Sequence, residues 1–390
     1  MKKMIICSTV LLFAFSLSIG SAFGLTDIEM LGKKIYMDEN LSLYNNQSCK
    51  TCHHPGAGFA DMENRKDPYN SVVSTGSDGF SVGGRNAPTA AYAGFSPVFR
   101  WDDTIGGYVG GMFWDGRATG DTLQDPLAEQ AQGPPLNPVE MAMPDADAVV
   151  AAVAASNYAR LFMEVFPETD FSDVDGTYDN IARAIAAYER SEEVTRFSSR
   201  FDEFWRECNE FGIDVSAIDT TTKLDSLPQD ILSERELEGL ALFNDPDKGN
   251  CAACHLTTDY VDANGVACPP LFTDFTYDNL GIPKSENPVI AENPVDCGLG
   301  GRDDIDDELQ LGKFKVPTLR IIAKTPPYGH NGYFATLEDI VRFYNTRDIA
   351  EWAPPEVPEN VNTEELGDLG LTPYEERSIV VFMRSLTDDD

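Results

Sequence analysis

Cys49-Lys50-Thr51-Cys52-His53 and Cys251-Ala252-Ala253-Cys254-His255 decide how the rest of this chain is read. Each is a C-x-x-C-H run, the pattern that attaches a c-type haem. Two thiols add to the two vinyl groups, and the short spacing sets the following His under the iron as an axial ligand. A structural zinc would need two C-x-x-C pairs folded onto one ion. Here the pairs stand about 200 residues apart, and each brings its own His. The reading is two covalently bound c-type haems. Cys49, Cys52 and His53 hold one; Cys251, Cys254 and His255 hold the other.

The lead-ins to the two motifs repeat. Leu31-Gly32-Lys33-Lys34-Ile35-Tyr36 runs through Asp38 and Leu41 to the first, and Leu237-Glu238-Gly239-Leu240-Ala241-Leu242-Phe243 runs through Asp245 to the second. Each reads as a short amphipathic helix entering a haem loop, and Ser233 with Glu236 is a capping box for the second. A duplication follows. The expected fold is mainly α, two cytochrome c-like haem domains in one chain, with loop-rich insertions. The first haem domain is placed at 25–208, an Asp- and Thr-rich linker at 209–230, and the second haem domain at 231–390. The stretch 149–166 is Ala-rich and periodic, and 178–208 sets Ile181, Ile185 and Tyr188 on one face, so each is expected as a helix. Thr372 caps a final helix starting at Pro373. Residues 256–312 are rich in Asp, Asn, Pro and Gly and read as an insertion. Cys268 and Cys297 bracket much of it as a candidate disulfide, which leaves Cys208 over.

Residues 1–24 read as a secretory signal: Lys2 and Lys3, an apolar run from Met4 to Ile19, then Ala22-Phe23-Gly24 as a cleavage site. The run is too short for a good membrane span, and there is no second one. The expected location is periplasmic, or at the cell surface, with no span once the signal is removed. The 390 residues, 42% hydrophobic and 10% aromatic, suffice for two packed cores and exclude a disordered chain. Sixty-five acidic side chains against 29 basic ones give a net charge of −36. That excludes nucleic acid as a partner and favours a basic soluble one.

What faces each iron from the other side is constrained by scarcity. Only four His exist, at 53, 54, 255 and 330. His54 adjoins a ligand and cannot reach across the same haem, so His330, in the second half, is the only spare. The first iron is therefore open or weakly held, which is where chemistry happens. After residue 163 the only Met is Met383, on an apolar face of the final helix, where it reads as core. Tyr344 then becomes a candidate ligand of the second iron.

Further pieces follow in a fixed order: Arg85-Asn86-Ala87-Pro88-Thr89, Phe113-Trp114-Asp115-Gly116-Arg117-Ala118, Glu129-Gln130-Ala131 and Asn137-Pro138-Val139-Glu140-Met141. After the second haem motif come Val316-Pro317-Thr318-Leu319-Arg320, Pro327-Tyr328-Gly329-His330-Asn331-Gly332 and Thr336-Leu337-Glu338-Asp339. With these, nearly the whole chain beyond the signal resembles the bacterial di-haem cytochrome c peroxidases and the related MauG-type maturation enzymes. The resemblance implies roles. Glu140 is the acid–base carboxylate of the peroxidatic haem, with Gln130 as the amide beside it. Trp114 lies between the haems. Asn86 binds one calcium ion together with the carbonyls of Thr325 and Pro327. Tyr344, fourteen residues after His330, stands where peroxidases place a Met ligand and the MauG type a Tyr. The residue types suit the chemistry: a carboxylate can move a peroxide proton from the near oxygen to the far one, and an amide can steady the developing charge.

There are departures. Residues 71–85 contain no His, where many relatives carry one that caps the resting peroxidatic haem, so activity is expected without prior reduction of the second haem. The chain is longer than compact peroxidases between Thr89 and Phe113 and between Arg117 and Leu127. His330-Asn331-Gly332 replaces the usual His-Asp-Gly. The leading expectation is an exported peroxidase that reduces hydrogen peroxide with electrons from a basic donor such as a small cytochrome c. The alternatives are a MauG-like oxidase that modifies a partner protein and a non-enzymatic electron carrier. A homodimer is compatible with each.

Overall fold

The computed structural model describes residues 24–261 and 265–389. The signal sequence expected over 1–24 lies outside them apart from Gly24. Helices of the first half are α1 (Asp27–Tyr36), α2 (Cys49–Cys52), α3 (Met62–Lys66), α4 (Pro126–Ala131), α5 (Gly133–Leu136), α6 (Ala146–Ala155), α7 (Ala159–Val165) and α8 (Val174–Glu189). The chain continues through α9 (Arg200–Glu210), α10 (Glu234–Asn244), α11 (Leu337–Thr346) and α12 (Pro373–Arg384). The sheet among the described residues is three two-stranded antiparallel ribbons: β1 (Arg100–Asp102) with β2 (Gly107–Val109), β3 (Tyr260–Val261) with β4 (Ala267–Cys268), and β5 (Tyr277–Asp278) with β6 (Phe314–Lys315).

Each haem motif hangs from a crossed helix pair, α1 on α8 and α10 on α12. Both crossings need a glycine. A Cβ at Gly32 would run into the carbonyl of Ala184, and one at Gly239 into the carbonyl of Ser378. The helices pack backbone to backbone there, and Leu31, Ile35, Ile181 and Ile185 fill one core as Leu237, Leu240, Ile379 and Phe382 fill the other. The capping boxes read at Ser233 with Glu236 and at Thr372 with Glu375 both form.

The two long helices expected from periodicity are each broken. Residues 149–166 bend by 104° between α6 and α7. Ser156 is extended, and the turn buries Tyr158 so that its hydroxyl donates to Asp38 Oδ2 at 2.5 Å. Residues 178–208 break after Arg190, and Ser199 starts α9 with a capping box of its own. The face of α9 made by Phe201, Phe204, Trp205 and Cys208 is buried in the second core. The stretch 209–230 also packs there: Val215, Ile218 and Leu227 are buried, and Asn244 Nδ2 donates to the carbonyls of Val215 and Ile218 at 2.9 and 2.8 Å.

The candidate disulfide does not form. Cys297 carries a free thiol. Cys268 is held in the β3–β4 ribbon opposite Tyr260, whereas Cys297 is fixed beside Gly312, whose N–H donates to its carbonyl at 2.9 Å. Cys208 is a buried thiol in the second core.

Arg320 ties the halves together. It is 0% exposed and donates to Asp202 Oδ1 at 2.6 Å and to the Pro270 carbonyl at 2.8 Å. Its guanidinium also lies over the rings of Tyr92, Phe197, Phe201 and Phe272 at 4.9–5.7 Å. A charge so buried is tolerable only with its ion partner and acceptors in place.

Candidate functional site

The two C-x-x-C-H motifs are held by one device used twice. His53 Nδ1 meets the Phe59 carbonyl at 3.1 Å, and His255 Nδ1 meets the Phe272 carbonyl at 2.9 Å. Both phenylalanines have positive φ, 58° and 54°, which bulky residues rarely adopt. A threonine braces each turn. Thr89 Oγ1 donates to the Gly58 carbonyl at 2.7 Å, and Thr318 Oγ1 donates to the Leu271 carbonyl at 2.6 Å. Burial lowers the pKa of both imidazoles, that of His255 to about 4. A neutral ring with its Nδ1–H spent on a carbonyl presents Nε2 as the ligand. The residues therefore fit haem. Among the described residues no three His, Cys, Asp or Glu side chains converge as a metal cluster, so the two Cys pairs do not share an ion.

In front of the first motif stands Glu140, half-buried in the turn after α5. Its carboxylate accepts from Asn137 Nδ2 at 2.7 Å, and its carbonyl from Ser77 N at 2.7 Å. Burial raises its pKa, against the opposing pull of Arg117 and the Asn137 hydrogen bond. Burial first, with Glu140 among the nearby carboxylates, also raises the thiols of Cys49 and Cys52. Arg117 stacks 3.7 Å from the Phe113 ring centre and bridges Asp115 at 3.0 Å. Gln130 lies half-buried at the end of α4, and its side chain makes no hydrogen bond to Glu140. The neighbouring Glu129 instead closes the 120–123 loop, accepting from Gly120, Thr122 and Leu123.

The second motif faces two cavities of about 180 and 100 Å³. His255, Cys251, Trp114, Lys315 and Tyr344 line both; Met383 adds to the first, His330 and Phe314 to the second. Burial, then the neighbouring Cys254, Cys251 and Asp278, pushes the Tyr344 phenol well above its usual range. Its surface opens to the cavities, and its hydroxyl has no hydrogen-bond partner among the described residues. Met383 is buried in the core, as its periodicity implies. His330 stacks on Phe314 at 3.6 Å, with Nε2 3.5 Å from Glu356 Oε2.

Trp114 borders both cavities, and its Nε1–H donates to the Asn86 carbonyl at 2.9 Å. Asn86, Thr325 and Pro327 line one cavity together. Asn86 Nδ2 donates to the Val72 carbonyl at 3.0 Å, which leaves Oδ1 without a donor among the described residues, a hard oxygen suited to calcium.

Sequence reasoning missed several residues. Asn137 was legible as an amide three residues before Glu140. Lys315 was not: a lysine reads as solvated surface, yet here burial lowers its pKa to about 7 and it donates to Ser96 Oγ and the Gly111 carbonyl at 2.6 and 2.5 Å.

Residues 26–210 match the profile of a family described as di-haem cytochrome c peroxidase. The chain is 36% identical over 376 residues to the methylamine utilization protein MauG of Paracoccus denitrificans, across 92% of this chain and 88% of that one. It is 31% identical over 316 residues to a cytochrome c551 peroxidase of Nitrosomonas europaea, across 81% and 72%. Among solved structures, the diheme peroxidase BthA from Burkholderia thailandensis aligns with a TM-score of 0.74 at 29% identity, covering 93% of this chain and 86% of that one.

Proposed function

Because the chain belongs to the di-haem cytochrome c peroxidase and MauG family, we propose that it is an exported peroxidase, reducing hydrogen peroxide to water at the first haem with electrons that enter through the second. It is an oxidoreductase built of two cytochrome c-like domains, and its family implies two c-type haems. Cys49, Cys52 and His53 would hold one, and Cys251, Cys254 and His255 the other. Bound there, the haems supply the redox chemistry: an iron accessible to peroxide at the first site and an electron store at the second.

The observation that carries this reading is the Glu140 carboxylate, half-buried beside the first motif and fixed by Asn137. It takes the proton from the near oxygen of the peroxide and returns it to the far oxygen as water leaves. Burial keeps its pKa raised, so it is a better base than an ordinary carboxylate. The Gln130 amide orients the peroxide. Trp114 carries electrons between the two sites, anchored through its indole N–H to Asn86. Asn86 Oδ1 and the carbonyls of Thr325 and Pro327 hold a calcium ion that steadies this junction. Export follows from the signal sequence read over 1–24, and among the described residues no single helix is long and apolar enough to cross a membrane. The negative charge suits a basic donor such as a small cytochrome c.

The test is an electron paramagnetic resonance spectrum of the oxidised protein before and after peroxide. A high-spin signal that vanishes supports an open first site that needs no prior reduction. Two low-spin signals that peroxide leaves untouched sink that reading.

A second reading, a MauG-like oxidase of a partner protein, is favoured by Tyr344, which lines both cavities with His255. A phenolate ligand lowers the iron potential and favours oxidising states. Tyr344→Phe should then raise the potential of the second haem and alter its absorption, read by redox titration. An unchanged titration removes the support that Tyr344 gives to this reading.

A further inference from the structure

The β1–β2 hairpin lies in the stretch between Thr89 and Phe113 where the chain exceeds compact peroxidases, and it carries an aromatic ring at each step inward. Trp101 is 45% exposed. It meets Tyr108, its cross-strand partner, at 5.1 Å. Tyr108 stacks on Phe99 at 4.9 Å and 6°, and Phe99 meets Tyr277 edge-on at 5.9 Å. A cross-strand pair alone would need only the first contact, as a hairpin staple. The rings continue instead to β5, where Tyr277 pairs with Lys315. Lys315 lines both cavities with His255 and Trp114, and its N–H donates to the Trp114 carbonyl at 2.8 Å.

We propose that this hairpin is an electron port. A reducing protein with a basic face gives up one electron at a time at Trp101, and each electron passes along Tyr108, Phe99 and Tyr277 to the wall of the second haem site. The inference rests on the peroxidase reading and adds to it the place and route of electron delivery.

The chemistry at each end fits. The indole N–H of Trp101 donates to Asp103 Oδ1 at 3.0 Å. An indole that loses an electron becomes a cation and a strong acid, and a hydrogen-bonded carboxylate stabilises that state. Asp102 is offset by Arg100 at 3.2 Å, so Asp103 supplies the net negative charge of the hairpin tip, which attracts a basic partner. The middle rings serve as a bridge and not as resting places for the charge. The Arg302 guanidinium lies 4.5 Å over Phe99 and disfavours a positive ring there. The Tyr277 hydroxyl donates to the Gly110 carbonyl, which is too weak a base to take its proton. The other strongly exposed aromatics, Phe80, Tyr69, Phe211, Tyr44 and Tyr374, touch no second ring among the described residues. The balance closes: hydrogen peroxide takes two electrons and two protons to give two waters, and two donor proteins are each oxidised by one electron.

The test uses the holoenzyme in two arms. With hydrogen peroxide and no donor, oxidised side chains are mapped by peptide mass spectrometry. Trp101 should be modified well ahead of Tyr69 and Tyr44, and Phe99→Leu should cut that modification several-fold. With peroxide and reduced mitochondrial cytochrome c, a basic haem protein, Trp101→Phe should slow donor oxidation several-fold while the Soret response to peroxide stays as in the wild type. A normal Soret response with Trp101 modified no more than Tyr69, or with Trp101→Phe at the wild-type rate, overturns the port alone. Absence of any Soret response in the wild type overturns the peroxidase reading and the port with it.

Discussion

The two halves of the molecule hold their ligand histidines alike and face them with different chemistry. Behind His53 and His255 stand the same parts: a phenylalanine carbonyl, a positive φ at that phenylalanine, a threonine brace, and a glycine where the supporting helices cross. In front of them nothing matches. The first site has Glu140 fixed by Asn137; the second has Tyr344 and a half-buried Lys315 around cavities that Trp114 of the first half also borders. The rear device only has to place a neutral imidazole, which both haems need equally. On the proposed peroxidase reading the front has to differ, because one site would handle peroxide protons and the other would store and pass electrons. The fold is thus a template and the function lies in what is set against it.

The sharpest way to break this comparison is to neutralise one carboxylate in each half. Glu140→Gln should slow the reaction with peroxide by about 10²–10⁴-fold, the usual worth of a general base. Glu356→Gln, which removes the carboxylate beside His330, should leave that rate within a few-fold. Rapid-mixing absorbance at the Soret band reads both. Equal losses would mean that the front of the two sites is not divided as described.

Next in size is the seam between the halves. Asp202→Asn leaves the Arg320 guanidinium buried without its counter-charge, at a cost of about 3–5 kcal/mol. The structurally matching position of the first half, two residues after its threonine brace, is Ala91, which carries no charge. Thermal unfolding followed at each haem should therefore show the second core weakened more than the first. A loss under about 1 kcal/mol, the level of an exposed ion pair, would show that the seam bears little.

The rear device can be probed symmetrically. Thr89→Val and Thr318→Val keep shape but leave the carbonyls of Gly58 and Leu271 without a donor. Each should cost about 1–3 kcal/mol, the penalty for a buried polar group left unpaired. Similar losses by denaturant titration sharpen the comparison. A silent change in one half would show that the two turns are braced differently.

Much of this was legible in the residues because covalent chemistry fixes spacing. The C-x-x-C-H runs mark where the two haems that the family implies would attach, and Ser233 with Glu236 and Thr372 with Pro373 mark helix starts that form as read. The glycines at 32 and 239 lay in the repeated lead-ins, but their packing role needs the crossing helix to be seen. The Pro-Thr pair of each brace, Pro88-Thr89 and Pro317-Thr318, was present in both halves and passed over as an isolated motif. What stayed hidden depends on distant contacts. Periodicity carries through Ser156, yet the Tyr158–Asp38 bond turns the chain there. Lys315 and Arg320 are charged side chains whose burial no local pattern reveals. The Cys268–Cys297 pairing failed because bracketing an insertion in sequence says nothing about where each end is anchored.

The smallest expected effect concerns pH and belongs to the first half alone. Glu140 must be ionised to take a proton, so the rate should fall as pH drops through its pKa. Burial raises that pKa, so the acid limb lies above the ordinary carboxylate range, while Arg117 pulls it back. Removing the cation in Arg117→Gln should move the limb to higher pH by less than about one unit, since a half-exposed charge is screened by salt. Raising the ionic strength of the wild type should move it in the same direction. The profile of Glu140→Gln should show no such limb, whereas that of Glu356→Gln should keep it. A limb that survives in Glu140→Gln would transfer the proton step to another group and remove the feature that most separates the two halves.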